Sequence, residues 1–210
     1  TYDIHSKKSD SEKLVRLIVD DFLLETKESC QNSLIYAAVN GHLVVLKSFI
    51  GLYDKQINAV EWIDLAFEWA AARGHREIVE FLFHISKGRV DFLQLLSDSF
   101  SSAFESAGKN GYSGIIKFLL HQQSSHQDWF NICQKSINAV FEHAAAKNYF
   151  EIIKILVGDF NNSASKVHVL DYVVSSACEI ALQNNHYNIE RYIKENMKKE
   201  ADDFLGGWIF

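Results

Sequence analysis

The stretch FEWAAARGHREIVEFLF at residues 67–83 returns in altered form as FEHAAAKNYFEIIKILV at residues 141–157. Three further segments superimpose on these two: LIYAAVNGHLVVLKSFI from Leu34, FESAGKNGYSGIIKFLL from Phe104 and CEIALQNNHYNIERYIK from Cys178. Aligned on Gly41, Gly74, Gly111, Asn148 and Asn185, the copies are spaced 33, 37, 37 and 37 residues apart. A fixed period of this length restricts the fold more than any other property of the chain, because every copy must adopt one local structure and meet its neighbours in one way.

Each copy has the same internal order. Apolar residues at helical spacing end in small side chains; a Gly or Asn follows, then a ring, then a second apolar-periodic run. After Gly74 come Ile78, Val79, Phe81, Leu82 and Phe83, and after Asn148 come Ile152, Ile153, Ile155, Leu156 and Val157, which predicts two helices joined by a tight turn. Gly and Asn tolerate the left-handed backbone that stops a helix sharply, so the five anchor positions hold only those types. The small residues Ala37/Ala38, Ala70/Ala71, Ala107/Gly108, Ala144/Ala145 and Ala181 let the first helix lie close to its neighbours. A single hairpin of helices leaves an apolar flank open, so stacking in register is the stable outcome. Pro is absent and Gly numbers 10, too few turn-formers for a sandwich or barrel. The expected fold is therefore all-α, in one domain.

AAVNGHLVVLKSFI at 37–50 and AAARGHREIVEFLF at 70–83 resemble the ankyrin repeat, whose helix-turn-helix core runs from two alanines through Gly-His to an Ile-Val and a Leu-Leu pair. The resemblance implies a helical solenoid of about five ankyrin-like repeats that acts as a scaffold for protein binding. The family's Thr-Pro-Leu-His opening is absent; where its His would sit, the chain has Ile35, Glu68, Glu105, Glu142 and Glu179. The linking segments carry helical periodicity in place of the family's β-hairpin, so the first helices of repeats three to five are expected to be about two turns longer than usual. By resemblance, residues just before each turn face the binding surface. This makes Asn40, Arg73, Lys109, Asn110, Lys147, Gln183 and Asn184 the candidate partner-binding residues.

Residues 1–30 are expected to form an N-terminal capping helix, centred on the amphipathic stretch from Ser11 to Glu25. The repeats occupy 31–196, and 197–210 hold the end of the last helix and the apolar tail Trp208, Ile209 and Phe210. That tail is expected to fold back as a lid; its alternatives are an exposed contact or an export signal of the kind it resembles in secreted bacterial effectors. The chain opens on Thr rather than Met, from which a processed or trimmed longer protein is expected.

A net charge of −6 without a basic block argues against nucleic acid as a partner. No apolar run is long enough to span a membrane. Cys30, Cys133 and Cys178 lack CxxC pairing, which fits a reducing cytoplasm and small buried thiols. His42, His75 and His186 occupy turn positions and read as packing residues, while His121 and His126 sit on an expected loop without the companions of a zinc site. Nucleotide and zinc-hydrolase fingerprints do not occur. No catalytic residue, metal or cofactor is assigned, and a monomer is favoured.

Two polar features remain. Glu68, Glu105, Glu142 and Glu179 are expected to accept bonds from backbone amides of the adjacent loop, a ladder that sets register; the alternative is an acidic stripe on the inner surface. Arg73, Lys109 and Lys147 form either a basic line in a groove suited to a peptide or a solvated face. The aromatic residues Trp62, Trp69, Phe92, Trp129 and Phe130 are expected to fill core volume. The expected function is a protein–protein interaction scaffold. Its resemblance to Pro-free, Phe- and Asn-rich repeats of intracellular bacteria and large viruses implies an effector acting in a host cytoplasm. Competing readings are a substrate-recruiting domain of a larger enzyme, with catalysis outside these residues, and a structural spacer.

Overall fold

A computed structural model describes residues 27–53, 59–87, 92–123, 127–162 and 167–197 of the chain. The expected N-terminal capping helix, His126 and the C-terminal tail lie outside these, as do the side chains of Cys30, Phe92, Trp129, Phe130 and Cys133. The described residues are all-helical and contain no strand. The helices are α1 (Lys27–Val39), α2 (Leu43–Tyr53), α3 (Ala59–Arg73), α4 (Arg76–Lys87), α5 (Phe92–Lys109), α6 (Ser113–Gln123), α7 (Gln127–Lys147), α8 (Phe150–Asn162), α9 (Val167–Gln183) and α10 (Tyr187–Met197). Odd-numbered helices are the first helices of the repeats and even-numbered ones the second. The first helices of repeats three to five have 18, 21 and 17 residues, against 13 and 15 in the first two.

All five turns are closed the same way. The ring residue donates its amide to the carbonyl five residues earlier: His42 to Ala37, His75 to Ala70, Tyr112 to Ala107 and Tyr149 to Ala144 at 2.9 Å, and His186 to Ala181 at 2.8 Å. At Gly41, Gly74, Gly111 and Asn185 the anchor's amide also donates three residues back. This is the Schellman arrangement, which satisfies carbonyls that a helix end leaves open. It requires a left-handed anchor, and φ is +77° at Gly41, +82° at Gly74, +79° at Gly111, +60° at Asn148 and +62° at Asn185. The ring residue's own carbonyl then accepts the first bond of the next helix, as His75 does from Ile78 and Tyr149 from Ile152. One residue thus ends one helix and starts another.

Two compact units are present, 1–103 and 104–210, with the division inside α5. The period alone predicted one domain; where a repeat packs mainly on its neighbours, compactness is local and a chain can divide between them. In the first unit α1 pairs with α2 and α3 with α4, and α1 lies against α3. In the second, α7 pairs with α8 and α9 with α10; α7 lies against α9, α6 against α8, and α8 against α10. First helices meet first helices and second helices meet second helices.

The buried positions repeat with the period. Leu34, Phe67, Phe104, Phe141 and Cys178 fill one slot, and the alanines before each turn are buried beside them. In repeat four the second helix buries Ile152, Ile153, Leu156 and Val157. At about 1.5–3 kcal/mol per apolar side chain, this burial outweighs a turn hydrogen bond worth about 1 kcal/mol. Burial therefore supplies the stability, and the turns decide which faces can meet. Close approach is real at Gly108, where an added Cβ would lie 2.4 Å from a Val140 methyl. Trp62 is buried as expected, whereas Trp69 is 45% exposed.

Two of the turn glycines, Gly41 and Gly111, are constrained a second time. The His75 ring lies against Gly41, 2.8 Å from where a Cβ would be, and the Tyr149 ring lies 3.0 Å from the same position at Gly111. Gly41→Ala combines a left-handed alanine with displacement of that ring and is expected to cost about 2 kcal/mol or more. Gly158→Ala, on a helix with open space around the new methyl, is expected to be neutral or stabilising by up to about 1 kcal/mol. Urea denaturation of both variants checks the contrast.

Candidate partner-binding face

The residues before each turn divide into two groups. Asn40, Asn110 and Asn184 turn their side-chain amides back onto their own helices, donating to the carbonyls of Tyr36 (2.8 Å), Ser106 (2.9 Å) and Ile180 (2.8 Å). They cap C-termini. Lys109 is held by Glu105 one turn earlier in α5, at 2.5 Å. Arg73, Lys147 and Gln183 are the exposed last residues of α3, α7 and α9. The two bases there complement the negative end of a helix dipole. Arg73 belongs to the first unit, and Lys109 and Lys147 to the second.

The expected ladder from glutamates to loop amides is corrected at two positions. Glu142 accepts from the Ser176 hydroxyl at 2.6 Å, a bond from α7 across to α9, and Glu105 serves Lys109. The slot lies six residues before the turn, about 9 Å along the helix axis, so the carboxylate meets the next first helix before it meets a loop. Bonds to the preceding repeat's helix end come instead from the turn histidines. His75 donates from Nε2 to the Val39 carbonyl and His186 from Nδ1 to the Ala145 carbonyl, each at 2.8 Å. His121 lies in the last turn of α6 rather than on a loop and donates from Nδ1 to the Lys117 carbonyl at 2.7 Å. Among the described residues no group of three or more His, Cys, Asp or Glu is placed to hold a metal ion.

The surface feature missed by sequence reasoning is apolar. Tyr36 on α1 and Trp69 on α3 occupy the same repeat position, five residues before the turn, and are 66% and 45% exposed. Leu65, one turn before Trp69, is 38% exposed. The adjacent helices therefore present matched rows: Asn32, Tyr36 and Asn40 on α1, and Leu65, Trp69 and Arg73 on α3, all six exposed. The signal was in the alignment. The slot of Tyr36 and Trp69 holds Ser106, His143 and Ile180 in the other repeats, and a slot that accepts Tyr, Trp, Ser, His and Ile is not shaped by packing.

Beside this row on α3 stand Asp64 and Glu68, both half-buried. Burial pushes the Asp64 carboxyl from 3.8 up to about 6. No protein-family model matches the chain, and no curated protein is significantly similar to it.

Two outcomes are expected. In a double-mutant cycle, Glu142→Ala and Ser176→Ala should each destabilise the fold by about 1 kcal/mol and be coupled by at least about 0.5 kcal/mol, read by chemical denaturation; additive losses would show that the hydroxyl–carboxylate bond contributes nothing. Asp64 binds its proton more tightly folded than unfolded, so it opposes folding increasingly as pH rises from about 4 to about 6 and fully above that. Asp64→Asn should raise Tm most near pH 7 and leave it unchanged below about pH 4, as scanning calorimetry across that range will register.

Proposed function

We propose that the chain is a scaffold of ankyrin-like repeats that binds a partner protein or peptide on the exposed side of its first helices, with no cofactor. The reading draws on the hydrogen bond that all five turns share, on the packing of first helices against first helices within each unit, and on the resemblance of the repeat cores. The observation that carries it is the pair Tyr36 and Trp69. Two large aromatic side chains stand in water at equivalent positions of adjacent helices, in a slot that a serine fills in repeat three. Exposed Trp and Tyr beside Arg are the side chains that dominate binding energy at protein interfaces. A cytoplasmic site of action belongs to the same proposal, resting on the free, buried thiol of Cys178 and on the absence of CxxC pairing in the sequence. Among the described residues no helix is long and apolar enough to cross a membrane.

The test is affinity capture followed by identification of the bound protein and titration of the purified pair. Arg73→Glu and Lys147→Glu, made separately, should leave Tm nearly unchanged, lowered only by the loss of about 0.5 kcal/mol of helix-end complementarity. At least one of them should weaken binding by about threefold or more, with a larger effect at low salt. Undiminished binding by both would move the interface off the ends of the first helices.

A further inference from the structure

Three of the seven exposed large apolar side chains of the described residues, Tyr36, Leu65 and Trp69, lie on α1 and α3. The fold does not demand them there. The slots of Leu65 and Trp69 hold Ser102 and Ser106 in repeat three, and Ser176 takes the Leu65 slot in repeat five. Equivalent residues on packed helices are separated by about the interaxial distance of 8–10 Å, wide enough for a side chain to enter between the Tyr36 and Trp69 rings.

The charges beside this face have one sign over most of its length. On α3, Asp64 and Glu68 are spaced one turn apart along the flank of Leu65 and Trp69, and Arg73 stands beyond them at the helix end. Of the Lys and Arg residues of α2 and α4 whose side chains are described, Lys47 lies over the Phe81 ring and Arg76 is bonded to Glu80 at 2.6 Å. A carboxylate kept half out of water beside apolar side chains is stabilised by any cation brought to it, and more strongly than a fully solvated one.

We infer that the α1/α3 face takes a peptide segment that brings an apolar side chain onto Tyr36, Leu65 and Trp69 and a Lys or Arg onto Asp64 and Glu68. This deepens the protein-binding reading above and rests on it. The upward displacement of the Asp64 carboxyl agrees with a site that lacks its counter-charge until the partner arrives. The rings add to the recognition of such a segment, since a cation approaching Trp or Tyr is attracted by the ring face as well as by the carboxylates.

The experiment selects random linear peptides displayed on phage against the immobilised full chain, with synthetic versions of the enriched peptides then titrated by Trp fluorescence and calorimetry. Tyr36→Ser and Trp69→Ser place in the slot the residue that repeat three already carries, and circular dichroism confirms that each variant folds. The expected result is enrichment of peptides with Lys or Arg within one turn of a Leu, Met, Phe or Trp. Their affinity should fall about tenfold or more in Trp69→Ser. It should fall about threefold or more in Asp64→Asn with Glu68→Gln, and that double variant should lose most of the salt dependence. Enriched peptides that are acidic or uncharged, or whose binding ignores the carboxylate substitutions, overturn the cationic chemistry and leave the scaffold reading in place. Enriched peptides insensitive to Tyr36→Ser and Trp69→Ser overturn the location. No enrichment over a non-binding control overturns both.

Discussion

The structure depends on how a helix is made to stop. The last carbonyls of a helix have no partners within it, and one left-handed residue lets the next amide reach back five positions to close them. In this chain that amide belongs to His or Tyr in every repeat, and the same residue opens the following helix. Two helices are thus joined with no slack, and their relative direction is set by the turn rather than by side chains. Once direction is set, the apolar flanks can meet only in one way, and the larger energy of burial follows the smaller energy of the turn.

The ring residue links this local device to its neighbours. His75 seats on Gly41 and donates to Val39; His186 donates to Ala145; the Tyr149 ring covers Gly111. Gly41 and Gly111 therefore answer two demands, one from their own φ and one from the next repeat. Where the anchor is Asn148, its side-chain oxygen accepts instead from Asn188 of the following repeat at 3.2 Å. Side chains that lie outside this system escape the period, as Tyr36, Trp69, Ser106, His143 and Ile180 do in one slot.

The helix pairs, the left-handed anchors and the buried slots were legible because each is favoured by one kind of residue at one offset: Gly and Asn adopt φ near +60° to +80° at the least cost. Glu142 was misread because its partner depends on which edge of a first helix faces the next one, a fact that emerges only when α7 and α9 are placed together. Asn40, Asn110 and Asn184 were read as candidate partner-binding residues, although a side-chain amide at a helix end finds its own open carbonyl first. Trp69 was expected to fill core volume from its place within a first helix, while its slot's tolerance for Ser106 and His143 already argued otherwise. A residue's identity reported less than the variety of its counterparts.

Amide hydrogen exchange resolved by residue tests the turn directly. The amides of His42, His75, Tyr112, Tyr149 and His186 lie between helices, where an open loop would exchange freely. The account requires all five to be protected by factors comparable to those of the last helical turn before them. Exchange at any of these amides near the rate of an unstructured chain, with the flanking helices still protected, would contradict it.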